Sequence, residues 1–582
     1  MNEQKNLILA VVLSFVVLII YQQIVEVPQA DQQFQLEQDM ALNNGAVDND
    51  PMADSSLAPQ PSSNLSPQVM SSVANAAPSM DTSPSPRINI RSESLTGTIS
   101  LRGARLDDLS LNKYMESLDD DADNVHLFNT AESLDGYYAE YGWAARAGAS
   151  VNIPDRNTVW SASADELTPA NPVTLSWANG EGLLFTRTIS VDENYAFTIT
   201  DAVENNTSSA VALAPYGVIS RKGRPELAGF VILHEGPIGV LGGELQEVDY
   251  DDLRDDGRFE MNTTGGWLGI TDKYWMAILV PDQTLPASTR FFYNGSEAVE
   301  RYQVDYLHGE MIAPAGQKIE VTSHLFAGAK EVSLIDQYGE QFDVALFDRT
   351  IDWGWFYFLT KPMFIALDFF YGLAGNFGIA ILLLTVLVKL IFYPLANKQY
   401  TSMTKMKKLT PKMKEIRERY KDDRMRQQQE TMELYKKEKV NPMAGCLPIL
   451  LQIPVFFALY KTLFVTIEMR HQPFFGWISD LSAPDPLTPL NLFGLIPWDP
   501  PSMIAVGIWP ILMGLTMFLQ QKMNPQQADP IQAKIFLMMP ILFTFILAPF
   551  PVGLVIYWTW NNLLSILQQW VIMRRMGVSI KD

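Results

Sequence analysis

Lys389 stands in the run 377–395, which is otherwise apolar and long enough to cross a bilayer. A charge at such a place costs roughly 2.5–3.5 kcal/mol on insertion scales, so it persists only where it meets water, a partner or other protein. Thr385 lies four residues earlier and shares its helix face. Other apolar runs carry polar groups at similar spacing: Gln452 and Tyr460 eight apart, Tyr557 and Asn561 four apart with Gln568 after them, and Thr544 and Gln520-Gln521 in two further runs. The chemistry open to this set is hydrogen bonding and a positive field in a low-dielectric region, and unpartnered polar groups there are costly. Two readings follow from the residues. In one, Lys389 reaches back to the nearer interface, about 8 Å away at the helical rise per residue, and the other groups join helices together. In the other, all of them line a wet cavity. No Asp, Glu or His lies at depth in these runs, which tells against a proton relay and so against a transporter.

The elements that must position these groups are five expected spans, at about 375–395, 444–466, 503–521, 534–550 and 553–573, with a very tight turn at Pro551-Val552-Gly553. A sixth run at 7–21 follows Lys5 and precedes Glu26 and Asp31. It reads as an uncleaved N-terminal anchor (1–27), with a signal peptide as the alternative, although no small-x-small cleavage site follows it. The loop 398–440 is dense in Lys and Arg, 467–502 holds one Arg among several Asp, and Arg574, Arg575 and Lys581 close the chain. The positive-inside rule then puts both termini and the basic loop in the cytoplasm. In that loop Met403, Met406, Leu409, Met413, Ile416 and Tyr420 recur at helical spacing, Lys421-Asp422-Asp423 interrupts them, and Met432, Leu434 and Tyr435 resume. This predicts a helical hairpin. Its Lys405, Lys407, Lys408, Lys412, Lys414, Arg417 and Arg419 either satisfy the topology rule alone or form a docking surface for anionic headgroups, ribosomal RNA or a targeting factor, with methionines suited to adaptable contact. Lys461, near the outer end of its span, is expected to snorkel outward.

The 582 residues exceed one core, and the net charge of −22 is concentrated between residues 28 and 350, which argues against nucleic acid as a partner of that part. Residues 28–86, rich in Ser, Pro, Asn and Gln, read as a disordered linker. Residues 87–346 read as an all-β domain, a large antiparallel sandwich. Tyr195, Phe197 and Ile199 alternate with Thr198 and Thr200, Ile319–His324 alternates likewise, and turns are expected at Asn294-Gly295, Asp256-Gly257 and Gly242-Gly243. His324 falls on the polar face, as a solvated histidine. Residues 347–374, aromatic and broken by Lys361-Pro362 and Asp368, read as an interfacial amphipathic helix. The single cysteine, Cys446, excludes an internal disulfide and a multi-thiolate zinc site, and the five histidines show no ligand spacing, so no metal or cofactor is expected.

Val388-Lys-Leu-Ile-Phe-Tyr-Pro-Leu395, Gln399-Tyr-Thr-Ser-Met403, Tyr435-Lys-Lys-Glu-Lys-Val-Asn-Pro442, Gly445-Cys-Leu-Pro448, Gln452-Ile-Pro454, Phe550-Pro-Val-Gly-Leu554 and Tyr557 together resemble the YidC/Oxa/Alb family of membrane protein insertases, in its Gram-negative bacterial form. The resemblance extends over nearly the whole chain. It implies a multidomain inner-membrane protein: an anchor, a periplasmic β-supersandwich similar to galactose mutarotases, and a five-helix insertase core (375–575) with a cytoplasmic hairpin and a short tail (576–582). It implies no enzyme activity, and a hydrophilic groove open to cytoplasm and lipid. The groove residues would be Lys389, Thr385, Gln452, Phe456, Leu459, Tyr460, Ile546, Tyr557 and Asn561. A nascent chain's polar tail would meet Lys389, Thr385, Gln452 and Asn561, and its apolar segment would slide along Phe456, Leu459, Ile546 and Tyr557. Implied partners are nascent membrane proteins, the Sec translocon with its accessory subunits, the ribosome or targeting factors at the hairpin, and the phospholipid bilayer. The chain departs from the family in having Lys where Arg is usual at 389, which keeps the charge but not the two-pronged donor, and Pro549 where an aromatic is common. No Walker A motif is present, in keeping with insertion driven by partitioning. The competing function class is a membrane-tethered carbohydrate-binding or epimerase-like protein, which requires a histidine and a carboxylate converging in a pocket.

Overall fold

The computed structural model describes residues 85–578 apart from positions 120, 147–150, 228–232, 296–299, 422, 439, 441–446, 494, 497, 499, 502–504 and 525–529. The expected anchor, nearly all of the linker, and Cys446 lie outside the described residues.

Period-two patterning builds the β part. In the strand Leu183–Val191 every second side chain is buried (Leu183, Phe185, Arg187, Ile189, Val191), and Arg187 is the polar member of that row. The adjacent strand Ala196–Asn205 buries Phe197 and Ile199, and its register sets Asp201 directly across from Arg187. Among the described residues the strands form one sheet of eleven and one of nine. The nine-stranded sheet centres on Gln317–Ala329 between Trp275–Val280 and Ala196–Asn205; the eleven-stranded sheet carries Val211–Lys222 between Tyr137–Ala145 and Arg301–His308. Pairing is antiparallel except where Arg87–Arg91 meets Glu166–Leu167. Side chains of both sheets join in one apolar core, the sandwich read from the sequence.

Two local expectations change. Gly242-Gly243 does turn a tight hairpin, with φ of 61° and 85° that glycine adopts without strain. Asp256-Gly257 instead ends a short helix, α1 (Tyr250–Asp256), whose last turn Gly257 closes by donating to the Leu253 carbonyl. His324 is half-buried: it stacks on Phe342 with ring centres 4.7 Å apart and bonds Thr198 at 3.1 Å, because the following helix α2 (Val332–Gln341) leads Phe342 over that face of the sheet.

The helical part comprises α3 (Tyr357–Ala374), α4 (Phe377–Lys408), α5 (Thr410–Arg419), α6 (Arg424–Lys437), α7 (Leu447–Val465), α8 (Ile508–Met523), α9 (Pro530–Ile546) and α10 (Val552–Arg575). Gly375 in the left-handed region ends α3, and the Asn376 side chain caps α4. The helix continues beyond the expected first span: α4 bends by 71° between Ile391 and Tyr393, just before Pro394, and runs on to Lys408. The tight turn also shifts. It occupies 547–551, and Val552 and Gly553 form the first turn of α10, donating to the carbonyls of Ala483 (2.8 Å) and Leu481 (3.0 Å). Among the described residues no single helix is long and apolar enough to cross a membrane. The bent pair Phe377–Ile391 and Tyr393–Lys408 passes that test together, and Gln452–Val465 and Lys534–Ile546 are shorter apolar helices.

Candidate functional site

The arrangement is organised by α10. Its residues Tyr557, Asn561 and Ser565 recur at four-residue intervals on one stripe; Asn562 and Gln569, seven apart, form a second. The first stripe faces α4 and α7. Lys389 on α4 donates from Nζ to Ser565 Oγ at 2.7 Å, and Ser565 in turn donates to the Asn561 carbonyl at 2.8 Å. Two turns further along, Tyr557 Oη accepts from Gln452 Nε2 of α7 at 2.5 Å. The second stripe faces α8: Asn562 donates to Thr516 Oγ1 at 3.2 Å, and Gln569 to the Met523 carbonyl at 3.1 Å. The polar groups of these helices thus divide between a join, α10 to α8, and a charged cluster, α10 to α4.

Among the described residues no carboxylate lies within ion-pair distance of Lys389. Ser565, only 2% exposed, holds it and was absent from the sequence-derived set, although its spacing from Asn561 and Tyr557 carried the signal. Thr385 is buried, with its hydroxyl proton committed to the Ile381 carbonyl at 2.7 Å, which leaves the oxygen as an acceptor. Asn561 is also buried. Phe456 is half-buried, edge-on to Trp558 at 4.6 Å and stacked with Tyr460, which also meets Phe550. Ile546 packs beside the cluster of Met513, Leu547 and Val555. Leu459 and Tyr557 are 1% and 3% exposed, so neither is open at the surface.

The basic hairpin α5–α6 closes over a small core of Met406, Leu409, Tyr435 and Val440, with Met413 and Leu434 at its edge. Met403 packs with Tyr400 and Ile572. These methionines fill seams within the protein, so the adaptable contact expected of them falls to exposed Met425 and Met432. Lys405, Lys414, Arg417 and Arg419 are exposed, Lys407 is buried, Lys408 donates to the Met576 carbonyl at 2.7 Å, and Lys412 pairs with Glu438 at 2.9 Å.

At the opposite end of α7, Lys461 pairs with Asp352 at 2.7 Å instead of snorkelling, and Asp352 also accepts from the backbone N–H of His234 and Gly354. Glu468 accepts from Val332 N–H at the start of α2 at 2.8 Å, Arg470 donates to the Glu116 carbonyl, and the Lys273 ammonium lies 3.8 Å from the Phe464 ring centre. Burial, together with nearby Glu331 and Asp368, pushes the Glu468 carboxyl up to about 7 despite that backbone bond. These contacts fasten the β-domain to the α7 end.

A polar hollow of about 150 Å³ in the β-domain is lined by His126, Asp135, Arg221, Asp272 and Trp275. Arg221 there pairs with Asp272 at 2.7 Å, and His126 bonds Ser110 and lies 3.5 Å from Asp108, both outside the lining. Among the described residues no cluster of three or more His, Cys, Asp or Glu is disposed to hold a metal.

Residues 87–366 match the family described as YidC periplasmic domain, and 369–579 that described as 60Kd inner membrane protein. A membrane protein insertase YidC of Methylobacterium nodulans is 50% identical over 590 residues, covering 100% of this chain and 96% of the relative. That of Sinorhizobium medicae is 54% identical over 500 residues, covering 85% and 83%. A crystal structure described as an active YidC insertase with its first transmembrane domain resolved is 18% identical with a TM-score of 0.35, over 83% of this chain and 94% of that one. A galactose mutarotase related enzyme from Lactobacillus acidophilus is 9% identical with a TM-score of 0.31, over 41% and 97%. At such scores the fold stands on its own strand order.

Proposed function

Since the chain belongs to the YidC family of membrane protein insertases, we propose that it lodges nascent inner-membrane proteins at the Lys389 cluster and releases them sideways into lipid. The family consists of insertases, not enzymes, and its members reside in the bacterial inner membrane. Five helices, α4 and α7–α10, cross the bilayer in this reading, with both termini and the hairpin cytoplasmic and the β-domain periplasmic. The basic loop 398–440, the acidic loop 467–502 and the family match over 87–366 support that topology.

One observation carries the mechanism: Lys389 is held by a serine, with no neutralising carboxylate among the described residues. Its field is therefore available to an incoming anion. A short acidic or polar tail of the nascent chain enters from the cytoplasm and is drawn to Lys389. Thr385 offers an acceptor, and Asn561 and Gln452 offer both donors and acceptors, so the tail exchanges water for fixed partners and its desolvation penalty falls. The apolar segment leaves past Phe456 and Ile546, with Leu459 and Tyr557 uncovered as α7 and α10 separate. Partitioning into lipid supplies the driving force. The exposed Lys405, Lys414, Arg417 and Arg419 serve as the contact for a ribosome or targeting factor, and the Sec translocon is the partner for longer substrates.

The test replaces Lys389 in a strain depleted of its own insertase. Lys389→Arg is expected to insert all substrates, Lys389→Ala to slow those with acidic tails by roughly tenfold or more, as loss of one charge-assisted contact implies, and Lys389→Glu to block them. Protease protection of the translocated tail reads the outcome. Full insertion of every substrate by Lys389→Glu would remove the charge from the mechanism.

A further inference from the structure

The extracytoplasmic connection between α7 and α8 contains a turn, described at 488–493, 495, 496 and 498, whose residues are sorted inside out. Its polar side chains, Thr488 at its base and Asn491, are 4% and 7% exposed, whereas Leu490, Leu492, Phe493, Leu495, Ile496 and Trp498 are 43–83% exposed. The turn is a built structure. Thr488 Oγ1 accepts from Leu490 N–H at 2.9 Å, Phe493 N–H donates to the Thr488 carbonyl at 3.0 Å, and Ile496 N–H to the Asn491 carbonyl at 3.1 Å. It is also strained: Leu492 and Phe493 adopt φ of 49° and 59°, a left-handed conformation that bulky residues rarely take. Among the described residues the two side chains remain about half exposed.

We infer that this turn is an interfacial anchor whose apolar side chains enter the outer leaflet. Three observations select lipid over a protein partner. No charged side chain occurs in 486–498, whereas a protein interface normally adds arginine and a polar rim. Thr488 Oγ1 is spent on the turn and Asn491 is buried, so neither polar side chain is presented to a partner. And the base of the turn is fixed to the outer end of α8, where Ile508 N–H donates to the Leu487 carbonyl at 3.1 Å and Trp509 N–H to Asp485 Oδ2 at 2.8 Å. The same helix carries exposed Ile511, Leu515 and Leu519, which meet lipid if α8 crosses the bilayer as proposed. Trp498 is suited to the interfacial level. The inference rests on the membrane reading of α8, and the test separates the two.

Cys446→Ser removes the one native thiol. Leu495→Cys, Leu515→Cys in α8 and Leu134→Cys on the β-domain, where Leu134 is 91% exposed, are then nitroxide-labelled singly in the full chain and reconstituted into phosphatidylethanolamine–phosphatidylglycerol vesicles. Collision with oxygen is compared with collision with a water-soluble nickel chelate. The expected result is an oxygen-to-nickel ratio at 495 close to that at 515 and several-fold above that at 134. A ratio at 495 equal to that at 134, with 515 still in lipid, overturns the anchor alone. Ratios at 495 and 515 both equal to that at 134 overturn the membrane reading and the anchor with it. Spin–spin broadening at 495 that grows with the protein-to-lipid ratio identifies a second copy as the occupant and likewise overturns it.

Discussion

A buried cation and a half-buried one show how differently one charge can be treated. Arg187, 1% exposed, is met by Asp201 through two hydrogen bonds, 2.7 and 3.2 Å, and lies over the rings of Tyr141 and Trp160. Its charge is cancelled, and the pair serves the sandwich. Lys389 is met by a neutral hydroxyl, which locates the ammonium without cancelling its field. Ser565 is thus a positioning residue. Ser565→Ala should lower stability by about 1.5–3 kcal/mol, the range for hydrogen bonds to charged groups, and should slow insertion of acidic-tailed substrates while leaving neutral-tailed ones near normal. Ser565→Thr, which keeps the hydroxyl, should restore the acidic-tailed set. Parallel loss of both substrate classes in Ser565→Ala would make the serine merely structural.

At the scale of elements, the bend in α4 decides where the hairpin sits. The segment from Tyr393 turns by 71° and ends at Lys408, tied to the Met576 carbonyl at the end of α10. Pro394 lacks the N–H that would bond the Leu390 carbonyl, and its ring crowds that turn. Pro394→Ala should therefore straighten α4, break the Lys408 contact, and change the distance between spin labels on Lys405 and Arg575 measured by pulsed dipolar spectroscopy. An unchanged distance would assign the bend to packing of Tyr400 and Met403 against Ile572 instead. The α8–α9 crossing has a comparable requirement: a Cβ on Gly514 would run into the Thr544 hydroxyl, so the close approach of these helices depends on glycine.

For the whole molecule, the question is how the β-sandwich is held on the helical part. Lys461–Asp352, Glu468 with Val332, and Arg470 with Glu116 span that junction. Glu468 makes it pH-sensitive. The groups that shift it are the Val332 N–H, which stabilises the carboxylate, and the carboxyls of Glu331 and Asp368, which oppose it; Glu331 is itself bonded by the hydroxyls of Tyr114 and Tyr195. Its pKa lies above the ordinary 4.5, at about 7, so the folded protein favours the protonated form. The stability it contributes is present below about 4.5 and is lost as pH rises through about 7. Melting of the full chain should therefore fall in temperature between pH 5 and pH 8, conditions chosen to bracket about one step of this titration, and Glu468→Gln should flatten that dependence. An equal slope in the variant would assign the effect to other groups.

Several features were legible in the order of residues because they depend on local periodicity and on the cost of placing a charge. The alternation of Leu183–Val191 sets one row inward whatever it packs against. An apolar run holding Lys389 must supply it with something other than lipid, and the helical spacing of Met403, Met406 and Leu409 marks the helix that carries them. Other features required the folded chain because they join residues whose separation in sequence carries no pattern. Asp201 answers Arg187 only once the strand register is set, Asp352 claims Lys461 from 109 positions away, and α10 sorts Asn561 and Asn562, adjacent in sequence, to opposite tasks. Composition and period decide which side of a helix or strand is buried; which partner that side meets is settled by packing, where one turn of a helix or one step of register exchanges a structural contact for a functional one.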